Sequence, residues 1–135
     1  MVEERQKILL VDDEPHILKS YARGLRKEFD ITTLTSPLEA IKLVEEHEQP
    51  FSVIVSDYNM PEMMGDVFLK TCNELSPDSV RVLLSGKADI ESIISCINEG
   101  HIFRFLLKPC GLPQMQQTLQ ESVRQFEILN TANIL

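Results

Sequence analysis

Short apolar runs alternate with stretches of helical periodicity along the whole of this 135-residue chain. After each run, apolar residues recur at spacings of three and four, which is typical of a helix with one buried side. Parallel strands need crossover connections of this kind, because a tight turn can join only antiparallel strands. The pattern therefore predicts an α/β fold: one doubly wound domain whose five-stranded parallel sheet carries helices on both faces. The strands are predicted at 7–11, 30–34, 51–56, 80–84 and 102–107.

Composition narrows the class of protein further. Hydrophobic residues make up 43% of the chain and aromatic residues only 6%, which favours a core of aliphatic side chains. The formal net charge of -8 repels a phosphate backbone, so we expect no direct binding of nucleic acid. No apolar run approaches the length of a membrane span, so we expect no membrane association.

Cysteine usage and the first residues indicate the compartment. The three cysteines are scattered and form no C-x-x-C pair, which is typical of reduced thiols. Met1 is followed by VEERQK, which lacks the apolar segment of a signal peptide. We therefore expect a cytoplasmic protein.

The domain is expected to cover residues 1–128. The remaining LNTANIL, residues 129–135, has little pattern of its own. It is predicted to be a C-terminal tail or the start of a linker to an output domain that this chain lacks.

Polar side chains collect where the predicted strands end. In an open parallel sheet, functional groups gather in the crevice beyond the carboxyl ends of the strands. A carboxylate at such a position is also a common helix cap, and that reading remains open for any single residue. It is a poor explanation of the whole set, because four of the five strands end in this way. The set comprises Asp12, Asp13 and Glu14 after the first strand, Asp57 after the third, Ser85 after the fourth and Lys108 after the fifth.

These residue types favour the chemistry of a phosphoryl group. Clustered carboxylates repel one another unless a cation lies between them, and Mg²⁺ prefers such hard oxygen ligands. Asp12, Asp13 and Asp57 can supply the oxygens, while Lys108 and Ser85 can neutralise and hydrogen-bond a phosphoryl oxygen. The pattern predicts transfer of a phosphoryl group to a carboxylate.

The motifs resemble those of the receiver domains of bacterial two-component response regulators. They are KILLVDDEP, VSDYNMPEMMGD, LLSG and FLLKP, and the resemblance spans about residues 7–126. It implies the CheY-like, or flavodoxin-like, fold with five strands and five helices, in agreement with the periodicity. The segment from Ser85 to Pro109 further resembles receivers that precede phosphodiesterase domains of the HD-GYP type.

The resemblance assigns roles to individual residues. It implies that Asp57 is the phospho-acceptor and that Lys108 contacts the phosphoryl group. Asp12, Asp13, Asp57 and the backbone carbonyl of Asn59 would hold Mg²⁺ or Mn²⁺. The Lys108–Pro109 peptide bond is expected to be cis.

Further positions concern switching and phosphoryl lifetime. Ser85 occupies the switch hydroxyl position and Phe105 the switch aromatic position, where Tyr is frequent. Phe105 keeps the packing role of that ring without its hydroxyl. Tyr58, Asn59 and Lys87 are expected to tune the lifetime of the phosphoryl group.

As a receiver, the chain would accept a phosphoryl group from a histidine kinase or a phosphotransfer protein. It would then change the face formed by the fourth helix, fifth strand and fifth helix, which would control an output domain, an effector or a homodimer. It would not be an enzyme beyond its own phosphorylation and dephosphorylation.

Two alternatives remain: a pseudo-receiver that binds partners without phosphorylation, and a Mg²⁺-dependent aspartyl phosphohydrolase. The second is disfavoured because the D-x-D proton donor is replaced by Asn59. A flavodoxin-like flavin binder is disfavoured because the acidic DDEP segment would repel the flavin phosphate.

Overall fold

The computed structural model describes residues 4–99 and 101–134, and it has the predicted architecture. Five strands form one sheet in the order β2-β1-β3-β4-β5, and every neighbouring pair is parallel. The strands are β1 (Lys7–Val11), β2 (Asp30–Leu34), β3 (Val53–Asp57), β4 (Val80–Ser85) and β5 (Arg104–Leu107). The helices are α1 (Pro15–Leu25), α2 (Pro37–Glu46), α3 (Gly65–Leu75), α4 (Ile90–Asn98) and α5 (Leu112–Ile134).

The sheet separates two hydrophobic cores, because successive side chains of a strand point to opposite faces. In β1, Leu9 and Val11 pack against α2, α3 and α4, whereas Ile8 and Leu10 pack against α1 and α5. The central strand β3 is buried along its whole length, which explains its uninterrupted apolar sequence. Helices on both faces therefore hold the strand ends in a fixed arrangement.

Local signals in the sequence account for helix α2. Ser36 is its N-cap and accepts a hydrogen bond from the backbone N–H of Glu39 at 3.2 Å, and Pro37 occupies the first turn. The Ser36 hydroxyl also donates to the Glu62 carboxylate at 2.6 Å, which connects the loop before α2 to the loop after β3.

The bounds of three predicted strands differ from the structure. β3 spans Val53–Asp57 instead of 51–56, and β4 includes Ser85 as its last residue. β5 begins at Arg104 instead of residue 102, although the N–H of Phe103 already donates to the carbonyl of Arg81 in β4 at 2.8 Å. Helix α5 runs without a break to Ile134, so residues 129–134 of the predicted tail are helical, and residue 135 lies outside the described residues.

Among the helices of residues 4–99 and 101–134, none has the length and apolar character needed to cross a membrane.

Candidate phosphorylation site

Three carboxylates converge at the carboxyl edge of the sheet. Asp12 follows β1 and Asp57 ends β3, and these two strands are neighbours. One carboxylate oxygen from each of Asp12, Asp13 and Asp57 lies within 4.8 Å of the other two. Asp12 and Asp57 are buried, with 3% and 4% of their surfaces exposed, while Asp13 is exposed. The site therefore has two acids in its floor and one at its rim.

The position of Asp12 is not explained by helix capping. Glu14 is the N-cap residue of α1, but its side chain makes no capping hydrogen bond. Instead, Asp12 Oδ1 accepts a hydrogen bond from the backbone N–H of Glu14 at 2.9 Å. This bond orients the Asp12 carboxylate towards the edge of the sheet, next to Asp57.

Lys108 forms an ion pair with the central carboxylate. Its Nζ lies 2.6 Å from Asp57 Oδ1, and the Lys108–Pro109 peptide bond is cis, as predicted. The backbone N–H of Lys108 donates to the carbonyl of Ser85 at 2.9 Å, which extends the β4–β5 pairing to the lysine. The sheet itself thus positions this ammonium group over Asp57.

The pKa values indicate how unfavourable the cluster of acids is without a cation. Burial raises the pKa of Asp12 to about 6, and the charge of Asp57 adds to the rise against the opposing N–H of Glu14. Burial also raises the pKa of Asp57, although the ion pair with Lys108 opposes the rise. For Lys108, burial acts to lower the pKa, but the pairing with Asp57 outweighs it and the pKa lies above its usual value.

The three acids fit a divalent cation. Each offers a carboxylate oxygen, the ligand atom that Mg²⁺ prefers, and the raised pKa values show unfavourable burial that a metal ion would relieve. One Asp57 oxygen pairs with Lys108, which leaves the other for a metal ion or a phosphoryl group. The acidic group can therefore hold a metal.

The residues predicted to switch lie in β4 and β5, on the same side of β3, whose last residue is Asp57. Ser85 ends β4 and is buried, and its hydroxyl donates a long hydrogen bond of 3.5 Å to the carbonyl of Gly86. Phe105 in β5 is partly buried and packs against the core beneath α2, α3 and α4. Phe105 is paired with Leu83 of the neighbouring strand β4, two residues before Ser85.

The three predicted tuning residues have different surroundings. Tyr58 is buried in the core, whereas Asn59 and Lys87 are exposed. The side-chain amide of Asn59 donates to Asp89 Oδ2 at 3.0 Å, and Asp89 belongs to a short 3₁₀ turn, Lys87–Asp89, after β4. Sequence reasoning missed Asp89, because 30 residues separate it from Asn59 and no motif marks it.

Comparison with known proteins decides the family. The family model of the response regulator receiver domain matches residues 8–120. The chain belongs to the response regulator receiver family. It is thus a phosphorylation-activated signalling domain of the two-component type, with the CheY-like fold that the periodicity predicted.

One similar protein is a much longer transcriptional regulator. The hydrogenase transcriptional regulatory protein HoxA of Cupriavidus necator is 37% identical over 123 residues, which cover 91% of this chain and 25% of HoxA. The receiver thus spans about a quarter of the length of that relative.

Two solved structures share the fold across nearly the whole chain. A structure described as adenylate cyclase from Rhodopirellula baltica has a TM-score of 0.92 and 33% identity, with 96% of each chain covered. The signal receiver domain of an HD domain-containing protein from Pseudomonas fluorescens has a TM-score of 0.86 and 26% identity, with 97% of this chain and 96% of that chain covered.

Proposed function

We propose that Asp57 of this receiver accepts a phosphoryl group from the phosphohistidine of a histidine kinase or phosphotransfer protein. The observation that carries the proposal is the 2.6 Å ion pair between Lys108 and a buried Asp57 beside two further acids. In the transfer, an Asp57 oxygen forms a bond to phosphorus as the bond from phosphorus to the donor nitrogen breaks. The product is an acyl phosphate, a mixed anhydride in which the charge of the phosphoryl group replaces that of the Asp57 carboxylate, and Lys108 would neutralise part of it.

Asp12, Asp13, Asp57 and the backbone carbonyl of Asn59 are proposed to hold Mg²⁺ or Mn²⁺. The bound ion supplies charge neutralisation for the incoming phosphoryl oxygens. Asp12 is pre-oriented for this role by the N–H of Glu14, and Asp13 completes the set from the rim.

The switch is proposed to use Ser85 and Phe105. The long hydrogen bond from the hydroxyl of Ser85 to the carbonyl of Gly86 would be exchanged for one to a phosphoryl oxygen. Phe105 is then free to fill the space that Ser85 leaves. This movement would alter the face formed by α4, β5 and α5, where large apolar side chains are exposed. They are Ile94, Ile97, Phe103 and Leu107.

That face is proposed to contact an output domain, an effector or a second copy of the chain. Residues 129–135 are proposed to lead into an output domain. The receiver itself would catalyse no reaction except its own phosphorylation and dephosphorylation. Binding to nucleic acid or membranes is not part of the proposal, and the cytoplasm is the proposed location.

A cavity beside Lys108 gives the phosphoryl donor a place to bind. It has a volume of about 620 Å³ and lies between α1 and the loop from β5 to α5. Its walls include Ile17 and Tyr21 of α1, Pro109 of the loop and Leu112 at the start of α5. A partner that inserts apolar side chains there would bring its phosphohistidine next to Asp57.

The experiment is incubation with Mg²⁺ and acetyl phosphate, followed by the intact mass of the protein. We expect a mass gain of one phosphoryl group, with release of acetate, and no gain for Asp57→Asn. Absence of any gain in the wild type would favour a pseudo-receiver. Continuous hydrolysis of a phosphate ester would favour the phosphohydrolase instead.

A further inference from the structure

The loop after β4 is fixed at its start by backbone pairing on both sides. The N–H of Tyr58 donates to the carbonyl of Leu84, and the N–H of Lys108 donates to the carbonyl of Ser85, both at 2.9 Å. This pairing ends at Ser85. The next residue, Gly86, begins the segment that lies outside this pairing, and Lys87–Asp89 form a 3₁₀ turn.

Asp89 connects this segment to the opposite side of the site. Its backbone N–H donates to the carbonyl of Gly86 at 3.1 Å, which closes the 3₁₀ turn. Its Oδ2 accepts the hydrogen bond from the amide of Asn59 at 3.0 Å. The same oxygen lies 3.9 Å from the place where a Cβ on Gly86 would be. The carboxylate therefore lies above the start of the loop and contacts the residue two positions after Asp57.

We propose that the hydrogen bond between Asn59 and Asp89 is a latch that holds the loop after β4 in its unphosphorylated arrangement. Asp89 is then a positioning residue, because it acts through Asn59 and the loop and touches neither the phosphoryl group nor the metal. The proposal rests on the proposed function, in which Ser85 at the base of this loop turns towards a phosphoryl group on Asp57.

Phosphorylation would weaken the latch by charge. A phosphoryl group on Asp57 adds negative charge two residues before Asn59, the hydrogen-bond partner of the Asp89 carboxylate, and like charges repel. Rearrangement of Ser85 and opening of the latch would therefore favour one another. Since the bond is close to solvent, the latch is expected to shift the loop equilibrium about threefold and not by orders of magnitude.

Three substitutions separate the hydrogen bond from the charge. Asp89→Ala and Asn59→Ala each remove the latch, whereas Asp89→Asn keeps an acceptor oxygen and removes only the charge. Glu91→Gln is the matched control, because it removes a neighbouring exposed charge at the start of α4 without touching the latch.

The measurements are amide hydrogen exchange of residues 86–90 in the unphosphorylated protein and the initial rate of phosphorylation by acetyl phosphate. We expect both to increase about threefold in Asp89→Ala and Asn59→Ala, with no further increase in the double variant. Asp89→Asn should match the wild type in hydrogen exchange, because it keeps the latch, and Glu91→Gln should match it in both measurements.

Three results would overturn the latch: additive effects in the double variant, unchanged exchange in Asp89→Ala, or hydrogen exchange in Asp89→Asn that is as fast as in Asp89→Ala. Hydrogen exchange needs no phosphorylation, so it tests the latch separately from the proposed function. A wild type that gains no phosphoryl group would instead contradict the proposed function.

Discussion

Asp12 and Asp57 occupy positions that are unfavourable for charged groups. Both are buried, and burial is the main reason that their pKa values are raised. Burial of these two carboxylates lowers the stability of the folded, metal-free protein. The same burial places their oxygens where a cation and a phosphoryl group could bind.

Replacement of Asp12 tests whether its buried charge lowers the free energy of unfolding. A carboxyl with a folded pKa of about 6 and an unfolded value of 3.8 binds more protons in the folded state between those values, so the metal-free protein loses stability as pH rises through that window. We expect Asp12→Asn to stabilise the metal-free protein by about 3 kcal/mol at pH 7.5, since one pKa unit corresponds to roughly 1.4 kcal/mol.

The measurement is urea unfolding at pH 7.5 and pH 4.5 in the presence of a chelator. At pH 4.5 the gain should be smaller, because Asp12 is then largely protonated. Added Mg²⁺ should stabilise the wild type and not the variant. An equal gain at both pH values would show that the buried charge is not the cause.

The motif residues at the strand ends were predictable one by one, and the contact of Asp89 was not. Asp12, Asp57 and Lys108 follow apolar strands, so a parallel sheet has to bring them to the same edge. The position of Asp89 depends instead on a 3₁₀ turn that the apolar pattern does not encode. Its partner Asn59 was predicted for its backbone carbonyl and its influence on lifetime, and not for this side-chain contact.

At the scale of elements, helix α3 begins in contact with the loop after β3. The N–H of Gly65 donates to the carbonyl of Tyr58 at 2.7 Å. A Cβ on Gly65 would lie 2.2 Å from the carbonyl oxygen of Asp57 and 2.8 Å from the Cα of Tyr58. Only glycine allows this approach, which turns the chain sharply after the proposed acceptor.

Gly65→Ala is expected to displace the backbone next to Asp57. We expect a loss of about 2 kcal/mol in the free energy of unfolding, because backbone atoms and not a flexible side chain are in the way. Gly111→Ala is the control, since its nearest neighbour is an atom of Pro113 at an ordinary 3.7 Å. Urea unfolding of both variants makes the comparison, and equal stability would contradict the proposed contact.

The switch is a prediction about β4 and β5 together. Ser85→Ala should still accept a phosphoryl group, because Asp57, Lys108 and the metal ligands are unchanged. It should lose most of the change in α4 and β5, because no hydroxyl remains to turn inwards. Hydrogen exchange of residues 90–98 and 104–107, with and without acetyl phosphate, measures the change. Retention of the full change in Ser85→Ala would contradict the mechanism.

Element boundaries were less predictable than element order. The apolar pattern of α5 fades after Phe126, since later residues no longer pack against the sheet, and Ile128 and Leu129 are exposed. Helical hydrogen bonding does not depend on that packing, so the helix continues to Ile134. At β5 the mismatch has the opposite sense. The apolar run begins with Ile102 and Phe103, before the strand itself begins at Arg104.

At the scale of the whole molecule, the fold follows from the alternation of strands and helices. Strands buried on both faces require helices on both faces, and the two cores divide accordingly between α1 with α5 and α2 with α3 and α4. This architecture makes one edge of the sheet the meeting place of residues from β1, β3, β4 and β5. What the fold does not determine is the output, and the relatives differ in it: a transcriptional regulator, an adenylate cyclase and an HD domain-containing protein.

The phosphoryl group is proposed to reside on Asp57, and chemical trapping can locate it in the sequence. Borohydride reduces an aspartyl phosphate to homoserine, which peptide mass spectrometry can locate. After incubation with Mg²⁺ and acetyl phosphate, the account predicts homoserine at position 57 and none in samples that contain a chelator. Homoserine at position 12 or 13, or at no position in a protein that has gained phosphate, would contradict it.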